Sequence, residues 1–184
     1  LGGTPYAGST RMYPIASGTA TNIYYGDVVN VLATGFLTQN VTTGAVAAPF
    51  VVGTVGVFVG CTFTDPNSGN VTFRQNWPTG TVAADALAYV VDDPAAIFQV
   101  QANGTVAQAG LGSNCFLVVQ ATGTGNLSSG NSTTAAVAAT VQTAAAFKIV
   151  GFVDSPTSTV GDAFTDLLVK FNPAAHAYTN GTGI

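Results

Sequence analysis

Glutamate is absent from this sequence, and charge of either sign is scarce: eight Asp, four Lys and Arg together, and one His in 184 residues. Charged residues amount to 7 % of the chain, against roughly 25 % in an ordinary soluble domain. Glu, Lys and Arg are strong helix formers, so their scarcity argues against solvated helices. The four cations, Arg11, Arg74, Lys148 and Lys170, are scattered, whereas a nucleic-acid backbone is held by clustered ones. With a net charge of −4 as well, no nucleic-acid partner is expected. No uninterrupted apolar run reaches the roughly 18 residues of a membrane span. The longest stretch, over residues 49–60, is broken by Gly53, Gly56 and Gly60, and no membrane partner is expected. No signal-peptide pattern is read at Leu1.

The same scarcity bears on catalysis. His176 is the single histidine and sits among Ala174, Ala175 and Ala177 in what reads as a solvated tail. A Ser-His-Asp or Cys-His arrangement needs a histidine held by a rigid scaffold. Asp92 and Asp93 are adjacent carboxylates, but neighbours on a strand point to opposite faces, and the Pro94 that follows favours a turn. Residues 65–70 (DPNSGN) offer loop oxygens without the carboxylate cluster that calcium requires. Gly110-Leu111-Gly112 lies in the wrong context for a phosphate loop. The expectation is therefore a protein that is not an enzyme, with no catalytic residue, no metal and no cofactor. Cys61 and Cys115 allow at most one disulfide; their strand-like neighbours favour two small buried thiols.

What is present favours strands and turns. Thr, Val and 22 Gly dominate, and β-branched residues fit pleated surfaces. Residues 79–105 carry the grammar of the whole chain. Leu87 to Val91 is apolar, Asp92-Asp93-Pro94 is a turn, Ile97 to Gln101 is a strand, and Asn103-Gly104 is a strong turn dipeptide. Upstream, residues 23–25, 28–32, 50–52 and 54–64 read as strand material. The near-continuous apolarity of residues 54–59 predicts burial on both faces. Residues 65–70 read as a hairpin loop, with Val71 to Gln75 returning antiparallel. Alternation predicts Cys61, Phe63, Val71 and Phe73 inside, with Thr62, Thr64, Thr72 and Arg74 wet. Trp77, the one tryptophan, is expected as a core or rim anchor, and residues 83–88 admit a short helical turn. Downstream, residues 121–143 are low in complexity and read as a long exposed excursion, with a weak strand or helix from Ala135 onward. Residues 147–153 and 164–171 are the last strands. Together the chain predicts a single all-β domain, an antiparallel barrel or sandwich of roughly eight to ten strands. Its expected parts are an extended N-terminal arm (1–14), a body (15–175) carrying the Gly/Ser/Thr loop at 121–143, and a tail (176–184). Low surface charge suits a chain that is rarely free of partners, because few charges need desolvating. A secreted β domain with a Thr- and Asn-rich surface has the same composition.

Several stretches resemble the structural proteins of tailed bacteriophages, marine podoviruses in particular. They are residues 11–18 (RMYPIASG) with 21–29 (TNIYYGDVV), 56–66 (GVFVGCTFTDP), 77–78 (WP) through 88–94 (AYVVDDP) and 98–102 (FQVQA), and 149–154 (IVGFVD) with 166–172 (DLLVKFN). The chain looks like a head-decoration, or capsid cement, protein over most of its length except residues 121–143. That resemblance implies a place on the outer capsid surface of the virion, with the major capsid protein as partner. It also implies self-association, with a trimer favoured, and an arm that adds contact area many times over around a shell. Tyr6, Arg11 and Tyr13 are the expected capsid contacts. The rival reading is a glycan-binding or adhesive β-sandwich in which Tyr24, Tyr25 and Trp77 stack on sugars.

Overall fold

The computed structural model describes residues 10–40, 53–119, 125–138 and 145–181. They form twelve strands: β1 (Arg11–Pro14), β2 (Val28–Val31), β3 (Leu37–Gln39), β4 (Thr54–Thr64), β5 (Val71–Arg74), β6 (Leu87–Val91), β7 (Ile97–Gln101), β8 (Asn114–Cys115), β9 (Leu117–Val119), β10 (Thr134–Ala136), β11 (Phe147–Phe152) and β12 (Asp166–Phe171). There is no α-helix among the described residues; a single 3-10 turn covers Gln108–Gly110. The all-β class read from the sequence holds. The strand count exceeds the expected eight to ten because β3, β8, β9 and β10 are only two or three residues long. The expected strand at residues 50–52 lies outside the described residues.

The eleven-residue β4 is the axis of a six-stranded sheet in the order β1-β6-β4-β2-β3. β6 pairs with Val57 to Thr62, while β2 pairs with Thr54 to Val57 and β5 with Cys61 to Thr64. β2 and β5 therefore share the edge of β4 opposite β6. A second sheet has the order β7-β12-β11-β8, and β9 with β10 makes a two-stranded ribbon. Every ladder is antiparallel.

Alternation along β2 and β4 divides the interior into two cores. Val29, Val55, Phe58, Cys61 and Phe63 face a first core closed by Ile15, Ile23, Trp77 and Ala86. Val28 and Val57 face the other way, into a second core with Phe147, Ile149, Leu167, Val169 and Phe171. This is the two-sided burial expected for residues 54–59. The two thiols lie in different cores, both free and buried. Burial pushes each up to about 12, which leaves them as unreactive apolar fillers.

The loop chemistry follows the sequence at residues 65–70. The Asn67 amide donates to the Asp65 carboxylate at 2.8 Å, and the Asp65 amide donates to the Asn70 carbonyl at 2.9 Å. The short turn admitted at residues 83–88 is present at Ala84-Asp85, without a helix, and β6 begins at Leu87. Two expectations are overturned. Val71 and Phe73 are not inside; the register places Val71 opposite Thr64 and Phe73 opposite Thr62, on the face that β4 turns away from the first core. Residue 176 is not in a solvated tail. The Ala177 amide donates to the Thr54 carbonyl at 2.7 Å, which folds the C-terminal segment onto the body and buries His176 completely.

Candidate functional site

Two of the three expected contact residues belong to β1, so the boundary drawn between arm and body at residue 14 falls within the sheet. Arg11 pairs with Val90, and Tyr13 pairs with Ala88. Their side chains point to the first-core side of the sheet, where they meet Asp92 and Tyr178. Arg11 Nε lies 3.0 Å from Asp92 Oδ2, and the guanidinium sits 5.0 Å from the centre of the Tyr178 ring. The Tyr13 hydroxyl donates to the same carboxylate oxygen at 2.9 Å and is hydrogen-bonded to the Tyr178 hydroxyl. Asp92 raises the Arg11 pKa, and burial is the first cause raising that of Tyr13. His176 packs between the rings of Phe171 and Tyr178, and its Nδ1 accepts the Tyr178 amide at 3.2 Å. Burial lowers its pKa, against the opposing pull of backbone at Val55 and Asp92, and keeps the ring neutral at pH 7. The cluster is a latch that ties β1, the end of β6 and the C-terminal segment together. Tyr13 is only 8 % exposed, so β1 offers Arg11 and Met12 to the outside. Tyr6 lies outside the described residues.

A second polar centre was not singled out in the sequence. Asp27, 1 % exposed, accepts from the Tyr24 amide at 2.7 Å and Gln39 Nε2 at 2.6 Å on one oxygen, and from Ser132 and Thr134 hydroxyls on the other. It fastens part of the low-complexity excursion to the first sheet. Desolvation pushes its carboxyl up to about 6, although all four hydrogen bonds act the other way. The folded carboxyl therefore holds a proton more readily than the unfolded one, whose ordinary value is 3.8. Stability from this group rises as pH falls from above 6 to below 3.8. Asn at this position keeps an oxygen for Tyr24 and Gln39 and turns its amide toward two hydroxyls that can accept. Relative to Asp27→Asn, the wild type should gain roughly 2–3 kcal/mol across that window in chemical unfolding followed against pH. Parallel curves for the two proteins contradict this.

The feature that stands out is an uncovered half of the first sheet. The face that meets the second core at Val28 and Val57 continues through Val91, Tyr89 and Leu87 on β6, because these alternate with the inward Ala88 and Val90. Beyond the reach of the second sheet it is bare. Met12 pairs with Tyr89, Leu87 with Thr62, and Thr62 with Phe73; the Phe73 and Tyr89 rings lie 6.1 Å apart. Val71 is 76 % exposed, Phe73 58 % and Met12 56 %. The sequence signal was readable, since Val71 and Phe73 alternate, but the side of the strand they occupy depends on pairing with β4. Of the aromatics proposed to stack on sugars, Trp77 and Tyr24 are buried in the chain, and Tyr25 alone is exposed. Among the described residues no three His, Cys, Asp or Glu side chains gather in a metal-binding group. Comparison with protein-family models, with curated proteins and with solved structures found no match.

Proposed function

We propose that this chain is a structural virion protein that binds the outside of a phage capsid and cements neighbouring major capsid subunits, alongside further copies of itself. The observation that carries the reading is the bare half-face of the first sheet. Met12, Val71, Phe73 and Leu87 are exposed beside Tyr89, in a chain with eight acids and four basic residues. Contiguous apolar surface of this kind marks an interaction site, and an aromatic residue at its centre is the usual energetic anchor. The resemblance of the sequence to head-decoration proteins supplies the partner. Residues 1–9, including Tyr6, are the second proposed contact, with Arg11 at their root. Removing residues 1–13 takes away most of β1 and the Tyr13–Asp92 bond, so removal of residues 1–9 is the cleaner test of the arm.

The decisive experiment uses particles lacking this chain, to which purified protein is added back. Wild type should bind at a fixed stoichiometry to the major capsid protein by quantitative mass spectrometry. Phe73→Lys with Val71→Lys should lose at least about tenfold in affinity, as expected for a central aromatic anchor, with an unchanged melting temperature. Full binding by that double variant overturns the docking face, and failure of the wild type to bind any particle overturns the virion reading.

A further inference from the structure

Among the described residues, the second sheet ends at an edge with none of the usual protection. β7 pairs with β12 along Ile97 to Lys170 and Gln101 to Asp166, and its other side has no strand partner among the described residues. An open edge is a template for another chain, and proteins ordinarily blunt it with charge, proline or shortness. The other edges here carry such devices. β1 has Arg11 and ends in Pro14, β5 has Arg74, and β8 is two residues long. β7 reads IFQVQ, five residues without charge or proline, and Ile97 is 52 % exposed.

All five residues of β7 line one groove of about 630 Å³. Side chains of a strand alternate between faces, so a groove that touches all five is reached along the backbone edge. Across the groove stand Tyr25, Ser132 and Thr134. It closes just past β7, where the Asn103 amide donates to the Ala136 carbonyl at 2.8 Å and the ribbon meets the sheet. From there the groove runs along the unpaired side of β7, with Tyr25, Ser132 and Thr134 among its other lining residues. Its floor is Val57, Val91, Phe147 and Val169, and among the described residues Tyr25 is the one titratable side chain that lines it.

We propose that this groove receives a single extended, uncharged segment of a partner polypeptide, which adds to β7 as a further strand. Alternate amides and carbonyls of β7 point away from β12 and supply the ladder. The apolar floor takes every second side chain of the incoming strand, and the hydroxyls and amides at the rim face the others. A charged segment finds no counter-charge in the groove and loses its hydration there. This site is separate from the bare half-face, so the two fail independently.

The test uses the full chain and a blocked hexapeptide of alternating threonine and valine, with a version carrying lysine at each valine as the control. Amide resonances of residues 97–101 are followed by titration and hydrogen exchange. The threonine–valine peptide should saturate, and the outward β7 amides should exchange at least about tenfold more slowly, as new ladder bonds require. The lysine peptide should leave them unchanged, and Ile97→Lys, a substitution at an exposed position, should weaken binding while the melting temperature holds. The proposal is overturned by no binding at millimolar peptide, by equal binding of the lysine peptide, or by protection confined to residues outside β7.

Discussion

Replacing Trp77 with alanine should lower folding stability by about 3–5 kcal/mol, as large aromatic truncations in a closed core do. Trp77 has no exposed surface. Its backbone exchanges two hydrogen bonds with Ile23, at 2.7 and 3.1 Å, and its ring meets Phe63 edge-on with centroids 5.2 Å apart. It closes the first core beneath β4, where Cys61 Sγ also donates to the Asn76 carbonyl at 3.6 Å. A cavity there cannot collapse easily, because both strands beside it are fixed by ladders. The indole N–H has no hydrogen-bond partner among the described residues. A buried unpaired donor is itself a burden of about 1–3 kcal/mol, so Trp77→Phe removes that burden while leaving a smaller void. Phenylalanine should therefore retain most of the stability that alanine loses. Equilibrium denaturation of both variants checks the order; equal losses would contradict it, because the smaller void and the removed orphan N–H both favour phenylalanine.

That core was legible in the sequence because its signals are local. The run at 54–64, the turn residues at 65–70 and the alternation of Cys61 and Phe63 against Thr62 and Thr64 fix strand, loop and face without knowledge of any partner. Residues whose role depends on pairing were not legible in the same way. Val71 and Phe73 have the alternation of an inward strand, and their exposure arises from a register with Thr64 and Thr62 that carries them beyond the second sheet. His176 looked solvated because its neighbours are alanines. Small residues are what allow the segment to lie flat against the body, with Ala175 buried beside His176. Asp27 follows Gly26 in what reads as an ordinary turn, and its partners Gln39, Ser132 and Thr134 come from 12 to 107 residues away. Arg11 and Tyr13 lie two residues apart in the chain, but the carboxylate that joins them is Asp92, 79 positions from Tyr13. Distance in sequence, more than chemistry, separates what could be read from what could not.

Gly56→Ala should destabilise the protein by about 3 kcal/mol, at the upper end of the overpacking range, although it adds one methyl group. Gly56 lies in β4 opposite Val29 of β2, beside an irregularity in that ladder. A Cβ built on it falls far inside contact distance of the Val91 carbonyl oxygen and also crowds a methyl of Val90. The carbonyl belongs to β6, which is held to β4 and to β1 on its two edges, so it cannot swing away as a flexible side chain would. Gly35 supplies the contrast. It sits in the β2–β3 hairpin at φ +82, with open space around its Cα. Alanine there meets no obstacle, and the left-handed backbone alone should cost about 1–2 kcal/mol. Both glycines have positive φ, +158 at Gly56 and +82 at Gly35, so what distinguishes the two sites is the crowding around the added methyl. If Gly56→Ala proves no worse than Gly35→Ala, β6 can shift away from β4, and the rigid pairing of the central strands is wrong. If it proves worse by the expected margin, the close approach at Gly56 is what sets the spacing of β4 and β6. That spacing in turn fixes how β6 lies beside Val57, which packs against the second core, and where the bare face beyond it begins.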